Sequence, residues 1–225
     1  MSRRGYNFER EIEVWLCEIF DLDIKSDFTL RPFRTASSGA ISSCKGDIRT
    51  HQVPWLESLT FEAKHLNQWT KKKGAVFHLY VDWVHKLKEE ARSPNSIPIF
   101  TWAFKGVRTN RGQGRIQMAV PRKNFDEWSR VVGIGYIVKN DVIRYNDKRR
   151  KHFLIYHDEL WKHAKLGGVT VFPFSLPCSQ QDHEPWVVVS RLHLEQIFIA
   201  MRNEWKIKTN SELTLFLPFM EEELG

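Results

Sequence analysis

The stretch "LTFEAKH", residues 59–65, decides how this chain is read. Its side chains alternate apolar and polar, the period-two pattern of a β-strand with one buried face. Leu59, Phe61 and Ala63 fall on one face, and Thr60, Glu62 and Lys64 on the other. A solvated ion pair explains that second row. So does a reactive centre built from a carboxylate and an ammonium, and the neighbouring elements have to separate the two.

Just upstream, "CKGDIRT", residues 44–50, reads as a short strand entered through Gly46. "HQVPWLES" follows as a turn, because Pro54 cannot donate to a continuous ladder. The two strands therefore form an antiparallel hairpin with a long loop. It would set Asp47 beside Glu62, since cross-strand neighbours lie ~5 Å apart. Glu62 and Lys64, two residues apart on one face, are ~7 Å apart at Cα.

A helix is expected over about residues 5–20. At ~100° per residue, Phe8, Ile12, Trp15, Leu16, Ile19 and Phe20 share one arc. Glu9 lies inside that arc, Glu11 outside it and Glu13 at its edge. A carboxylate aimed at a protein interior requires a cation or hydrogen-bond donors. Between helix and hairpin, "FTLRPFRTASSGAISS", residues 28–43, begins as a strand with Arg31 and Arg34. It continues as a Ser/Gly-rich loop whose N–H groups and hydroxyls suit a phosphate, although a plain surface loop has the same composition.

Downstream of the hairpin, Lys71, Lys72 and Lys73 form a basic patch. A helix over residues 76–91 is expected from the stripe Val76, Leu79, Tyr80, Trp83, Val84 and Leu87. Strands follow at 99–106 and 116–122, separated by a glycine-bearing basic turn with Arg108, Arg111 and Arg115. A helix over 123–132 ends this part, in the order α-β-β-β-α-β-β-α. Residues 133–225 hold further strand and strand-to-helix segments, among them "VTVFPF" and "WVVVSRLHLEQIF", and an apolar, then acidic tail. The division expected is a core over 1–132 and an α/β extension over 133–225, either separate or packed into one domain.

The composition narrows the function classes. The chain has 225 residues, 42% hydrophobic and 27% charged, as a soluble globular protein does. A net charge of +7 favours a polyanionic partner, nucleic acid before an anionic membrane surface. No apolar run reaches membrane-spanning length, and the N-terminus lacks the apolar centre of a signal peptide, so an intracellular protein with no membrane partner is expected. Cys17, Cys44 and Cys178 are too scattered for a disulfide framework or a zinc site. HExxH, Walker, GxGxxG and GxSxG patterns are all missing, which leaves zinc-protease, NTPase and serine-hydrolase readings without a starting point.

What remains is a set of three carboxylates, Glu9, Asp47 and Glu62, with Lys64. Hard divalent cations such as Mg2+ select oxygen ligands of this kind. A cation would offset the mutual repulsion of the carboxylates, and Lys64 would then hold and activate the attacking water.

This arrangement resembles the PD-(D/E)XK nuclease superfamily, whose signature is an acidic residue, a variable gap and (D/E)xK. Asp47 and Glu62-Ala63-Lys64 carry it, with Gly46 where the proline of the name would stand. Within the superfamily the likeness is to archaeal-type Holliday-junction resolvases. These start with a basic stretch and GxxxE on the first helix, here Gly5 and Glu9 in "RRGYNFE". They continue with a strand bearing arginine and a serine–glycine loop, here "RTASSG" with Ser38 and Gly39. The resemblance spans about residues 3–130.

The resemblance implies an α/β fold with a restriction-endonuclease-like core, a mixed central β-sheet flanked by helices, here with an α/β C-terminal extension. It implies a Mg2+-dependent endodeoxyribonuclease, with Mn2+ able to substitute. Glu9, Ser38, Asp47, Glu62 and Lys64 would be catalytic. The metal would be held by Asp47, Glu62 and the Ala63 carbonyl, with Glu9 joining directly or through water. Arg3, Arg4, Arg31, Arg34, Lys71, Lys72, Lys73, Arg108, Arg111 and Arg115 are the candidates for DNA-backbone contacts. The expected partners are branched or duplex DNA and a second copy of the chain. A restriction-, homing- or repair-type duplex endonuclease is the alternative. A non-catalytic DNA-binding relative is disfavoured by the intact Asp47, Glu62 and Lys64.

Overall fold

The computed structural model describes residues 3–25, 32–34, 47–50, 53–66, 76–92, 95–104, 116–147, 151–156, 159–160, 168–177 and 183–221. Helix α1 (Arg3–Phe20) is followed by two short strands, β1 (Phe33–Arg34) and β2 (Ile48–Arg49). Then come β3 (Leu59–Leu66), β4 (Val76–Tyr80), α2 (Val81–Arg92), β5 (Ile97–Phe104), β6 (Ile116–Pro121) and α3 (Arg122–Val131). The chain continues through β7 (Tyr136–Val138), β8 (Ile143–Asn146), β9 (His152–Tyr156), β10 (Val169–Pro177), β11 (His183–Ser190) and α4 (Arg191–Glu221).

Eight strands form one mixed sheet in the order β1-β2-β3-β5-β6-β11-β10-β7. Strand β3 pairs antiparallel with β2 (Ile48↔Phe61) and parallel with β5 (Lys64↔Trp102). A parallel neighbour cannot be reached by a tight turn. The chain between β3 and β5 therefore crosses over, and β4 and α2 are the elements it lays down on the way. A second, three-stranded sheet has the order β4-β9-β8.

Alternation along the central strands sorts the molecule into layers. Leu59, Phe61 and Ala63 of β3, Ile97 and Ile99 of β5, Met118 and Val120 of β6, and Val187 and Val189 of β11 pack in one apolar cluster with α1, α3 and α4. Phe100 and Trp102 of β5, Ala119 of β6, and Trp186 and Val188 of β11 face the other way. They pack against Val84 and Leu87 of α2 and against the three-stranded sheet, through Phe77, Leu79, Phe153 and Ile155. Strands covered on both faces read as continuous apolar runs, which is why "IFTWAF" and "WVVV" carry so few charges. This is the α/β class expected, a mixed central sheet flanked by helices, consistent with a restriction-endonuclease-like fold. Strand β11 pairs with β6, so β11, β10 and β7 continue the same sheet beyond residue 133.

The helices end by a shared device. Asp21, Asn95 and Gly133 take positive φ after α1, α2 and α3. In each case the next residue's N–H returns to a carbonyl five residues back: Leu22 to Cys17, Ser96 to Ala91 and Ile134 to Ser129. These are Schellman closures, placed where glycine, asparagine or aspartate bears the left-handed conformation at least cost. The C-terminal carbonyls of α1 gain a further partner, since Arg202 of α4 donates to the Glu18 and Ile19 oxygens at 3.3 and 2.8 Å. Trp15 Nε1 of α1 donates to Glu195 of α4 at 2.9 Å. At the head of α4, the Ser190 hydroxyl accepts the His193 N–H, an N-cap bond.

One sequence expectation changes. Residues 76–80 form strand β4 instead of the first turn of a helix. Their apolar positions satisfy both periods, and β9 decides between them by pairing along the whole segment, from Val76↔Tyr156 to Tyr80↔His152. Phe77 and Leu79 are thereby buried on one face. The apolar-then-acidic tail, to which the sequence assigns no element, continues α4 as far as Glu221. Among the described residues, no helix is long and apolar enough to cross a membrane.

Phe198 is the point at which α4 enters the core: it is fully buried, its ring edge-on to Trp128 of α3 at 5.1 Å. Phe198→Ala should lower unfolding free energy by about 3–5 kcal/mol with an unchanged denaturant slope. A loss under about 1 kcal/mol in urea titration would show that α4 is not part of the cooperative core.

Candidate active site

Strand β3 carries the centre. Since Leu59, Phe61 and Ala63 fill the helix-side cluster, Glu62 and Lys64 stand on the face covered by α2. The Lys64 ammonium donates to Glu62 Oε1, with the lysine side chain 34% exposed and the glutamate 17%. The pair is thus recessed but reachable from solvent.

Asp47 immediately precedes β2. Its N–H donates to the Phe61 carbonyl at 2.8 Å. Its carboxylate Oδ2 accepts the Ala63 N–H at 2.8 Å. The side chain thus takes the ladder bond that a backbone carbonyl would otherwise take, which fixes it astride residues 61–63. The N–H and carbonyl of one strand residue point to the same neighbouring strand, so the Ala63 carbonyl faces the Asp47 side as well.

Glu9 arrives from α1, which lies against the opposite face of β3. It is 4% exposed, beside Phe8, whose ring stacks on His65 at the end of β3 with centroids 5.5 Å apart. Glu13, one turn on, is also buried and pairs with Arg10 at 2.6 Å. The helical wheel sets it at the edge of the arc, and packing takes it further in.

Lys64 registers all three carboxylates. Burial on its own would lower its pKa. The charge and hydrogen bond of Glu62, then the charges of Asp47 and Glu9, outweigh that, and the value ends above the ordinary lysine range. Four residues scattered over 56 positions are therefore close enough to act on one proton equilibrium. Trp83 of α2 adds an unexpected neighbour, its ring centroid 5.9 Å from Lys64 Nζ. In sequence it is one of an apolar stripe, and no local signal ties it to a residue nineteen positions earlier.

The other candidate residues stand differently. Arg3 and Arg4 lie in the first turn of α1, and Arg34 pairs with Ile48 across β1 and β2; the side chains of these three arginines lie outside what the structure describes. Ser38, Arg31, Lys71, Lys72, Lys73, Arg108, Arg111 and Arg115 lie outside the described residues.

The donor set can be tested against a divalent cation. Among the described residues, no three His, Cys, Asp or Glu side chains gather closely enough to cage one. Mg2+ commonly takes one or two carboxylates and completes its octahedron with water and substrate phosphate. Asp47, Glu62 and the Ala63 carbonyl are hard oxygen donors on adjoining strands, and they fit that mode of binding. A fully protein-built cage of the calcium kind does not fit.

No protein-family model matches this sequence, and no curated protein matches it. Among solved structures, the chain is similar to Hjc, a Holliday junction resolvase from the archaeal hyperthermophile Archaeoglobus fulgidus. The TM-score is 0.40 and the identity 16%, covering 71% of this chain and 93% of that one.

The raised Lys64 pKa has a stability consequence in metal-free protein. A lysine that binds its proton more tightly when folded stabilises the fold below its ordinary value of 10.5, and that contribution is lost as pH rises through the raised value. The difference in thermal midpoint between wild type and Lys64→Met should therefore be constant well below pH 10.5 and change, to the disadvantage of wild type, as pH rises beyond 10.5. A constant difference would show that the three carboxylates do not act on Lys64.

Proposed function

We propose that this protein is a Mg2+-dependent endodeoxyribonuclease of the PD-(D/E)XK type, and that its substrate is branched DNA, cut in the manner of a junction resolvase. The observation that carries the nuclease reading is the Lys64 ammonium bonded to Glu62 and biased by Asp47 and Glu9 at a recessed, solvent-reachable position. The choice of branched DNA rests on the sequence resemblance, with "RRGYNFE" and "RTASSG" as its marks.

Asp47, Glu62 and the Ala63 carbonyl would hold the ion, with Glu9 acting through water from the α1 side. When bound, the ion supplies positive charge at the scissile phosphate and makes water easier to deprotonate. The remaining work falls to the chain. Lys64 is charged at neutral pH, so it orients the attacking water and stabilises the charge of the pentacovalent phosphorus; it does not abstract a proton. The Ala63 N–H anchors Asp47, so this ligand need not be ordered when substrate arrives. Water adds to phosphorus as its proton passes to solvent, and the bond to the 3′ oxygen breaks as that oxygen takes a proton from solvent, leaving 5′-phosphate and 3′-hydroxyl ends. Ser38 would contact the scissile phosphate or its neighbour. Arg3, Arg4, Arg31, Arg34, Lys71–Lys73 and the 108–115 turn would contact the DNA backbone, giving a steep salt dependence. A homodimer would allow two symmetric cuts.

Purified protein should be assayed on a four-way junction, a linear duplex and single-stranded DNA, with and without Mg2+. Paired symmetric nicks near the branch point are expected, and cleavage at one duplex sequence would instead select the duplex-endonuclease alternative. Asp47→Ala and Glu62→Ala should each reduce cleavage by at least about a hundredfold while DNA binding persists. Full cleavage by either would remove it from the site.

A further inference from the structure

Glu62 is given two tasks that compete. In the structure its carboxylate accepts the hydrogen bond of Lys64. If, as the proposed nuclease function requires, it also ligates the divalent ion, the ammonium loses part of its hold on Glu62 just when it has to be aimed at the phosphate. A second partner that a metal does not claim would resolve the conflict, and α2 provides one in Trp83.

The indole is built into the fold as a fixed platform. Its ring lies 5.9 Å from Lys64 Nζ, within cation–π range, and tryptophan is the strongest aromatic partner for a cation. Phe100 lies nearly parallel to it, at 6.0 Å and an interplanar angle of 6°. Tyr80 meets it edge-on at 4.7 Å. Phe100 is the residue paired with Glu62 across β3 and β5, and it is fully buried. The platform under Lys64 is thus braced by the strand residue that adjoins its carboxylate partner.

Helix α2 is in turn tied to the β10–β11 hairpin. Lys88 pairs with Glu184, and His85 Nε2 donates to the Pro177 carbonyl at 2.8 Å. Shifting the indole would mean shifting α2 against two strands.

We propose that Trp83 is a positioning residue for Lys64. Its ring holds the ammonium in place when Glu62 turns to the metal, and it shields one side of the ammonium from bulk water. This rests on the nuclease reading and adds to it a residue that the PD-(D/E)XK pattern does not contain.

The test compares wild type with Trp83→Leu, Trp83→Phe, Lys64→Met and the Trp83→Leu/Lys64→Met double variant, using a Mg2+-dependent cleavage assay on junction and duplex DNA. Trp83→Leu should lower kcat by about tenfold, the scale of a partly desolvated cation–π contact, with KM within about twofold of wild type. Trp83→Phe, which keeps a ring, should recover most of the loss. In the Lys64→Met background, Trp83→Leu should have no further effect, because its influence passes through the ammonium.

A readout independent of catalysis comes from NMR of the metal-free protein. The Lys64 side-chain methylene protons should be shifted upfield by the indole, and the shift should vanish in Trp83→Leu. The proposal is overturned if Trp83→Leu keeps wild-type kcat, if it slows Lys64→Met by the same factor as wild type, or if the upfield shift is missing. If wild type and Lys64→Met both cut no DNA, the nuclease reading itself falls, and the role of Trp83 with it. A cutting wild type with an indifferent Trp83→Leu removes this inference alone.

Discussion

A half-buried ammonium among carboxylates sets the terms for this molecule. Desolvation opposes the charge on Lys64, and Glu62, Asp47 and Glu9 together overcome it. None of the three could be brought near the interior alone without a comparable penalty. Their positions follow from how β3 is held. Antiparallel pairing with β2 brings Asp47 onto the Ala63 N–H. Parallel pairing with β5 forces a crossover, and the crossover lays α2 on the face where Glu62 and Lys64 stand. The packed face of the same strand keeps α1, and so Glu9, within electrostatic reach.

Local periodicity made part of this readable. Alternation over residues 59–64 separates the packed row from the charged row because strand side chains alternate whatever the tertiary setting. The helical wheel likewise placed Glu9 on the inner face of α1. Where a partner came from far along the chain, the pattern was insufficient. Residues 76–80 suit either period, and β9, whose nearest paired residue is His152, makes them a strand. Glu13 at the rim of the wheel is buried with Arg10 against it, a matter of how close α1 lies to its neighbours. The hairpin pattern sets Asp47 near Glu62, but that its carboxylate serves as a ladder acceptor for Ala63 is something no spacing rule encodes. Trp83 fits an apolar stripe perfectly well, and only the packing of α2 on β3 turns its ring toward Lys64.

The part beyond residue 132 is structurally committed to the part before it. Strand β11 closes on β6 from Trp186↔Pro121 to Ser190↔Gln117. Helix α4 covers α1 and α3 with Leu194, Ile197, Phe198 and Met201, and Arg202 satisfies the last carbonyls of α1. Removing residues 133–225 would uncover the helix-side cluster and leave β6 without its outer neighbour. It would strip support from α1, the element that carries Glu9, along with any contribution the segment makes to substrate choice.

The central claim is that this centre directs water onto a phosphodiester. Its most direct measurement is cleavage of a four-way DNA junction with Mg2+ in water enriched in heavy oxygen, followed by mass analysis of the product ends. The account predicts 5′-phosphate ends carrying one heavy oxygen from the solvent, opposite unlabelled 3′-hydroxyl ends. Intact strands, or cut strands whose phosphate carries no solvent oxygen, would contradict it.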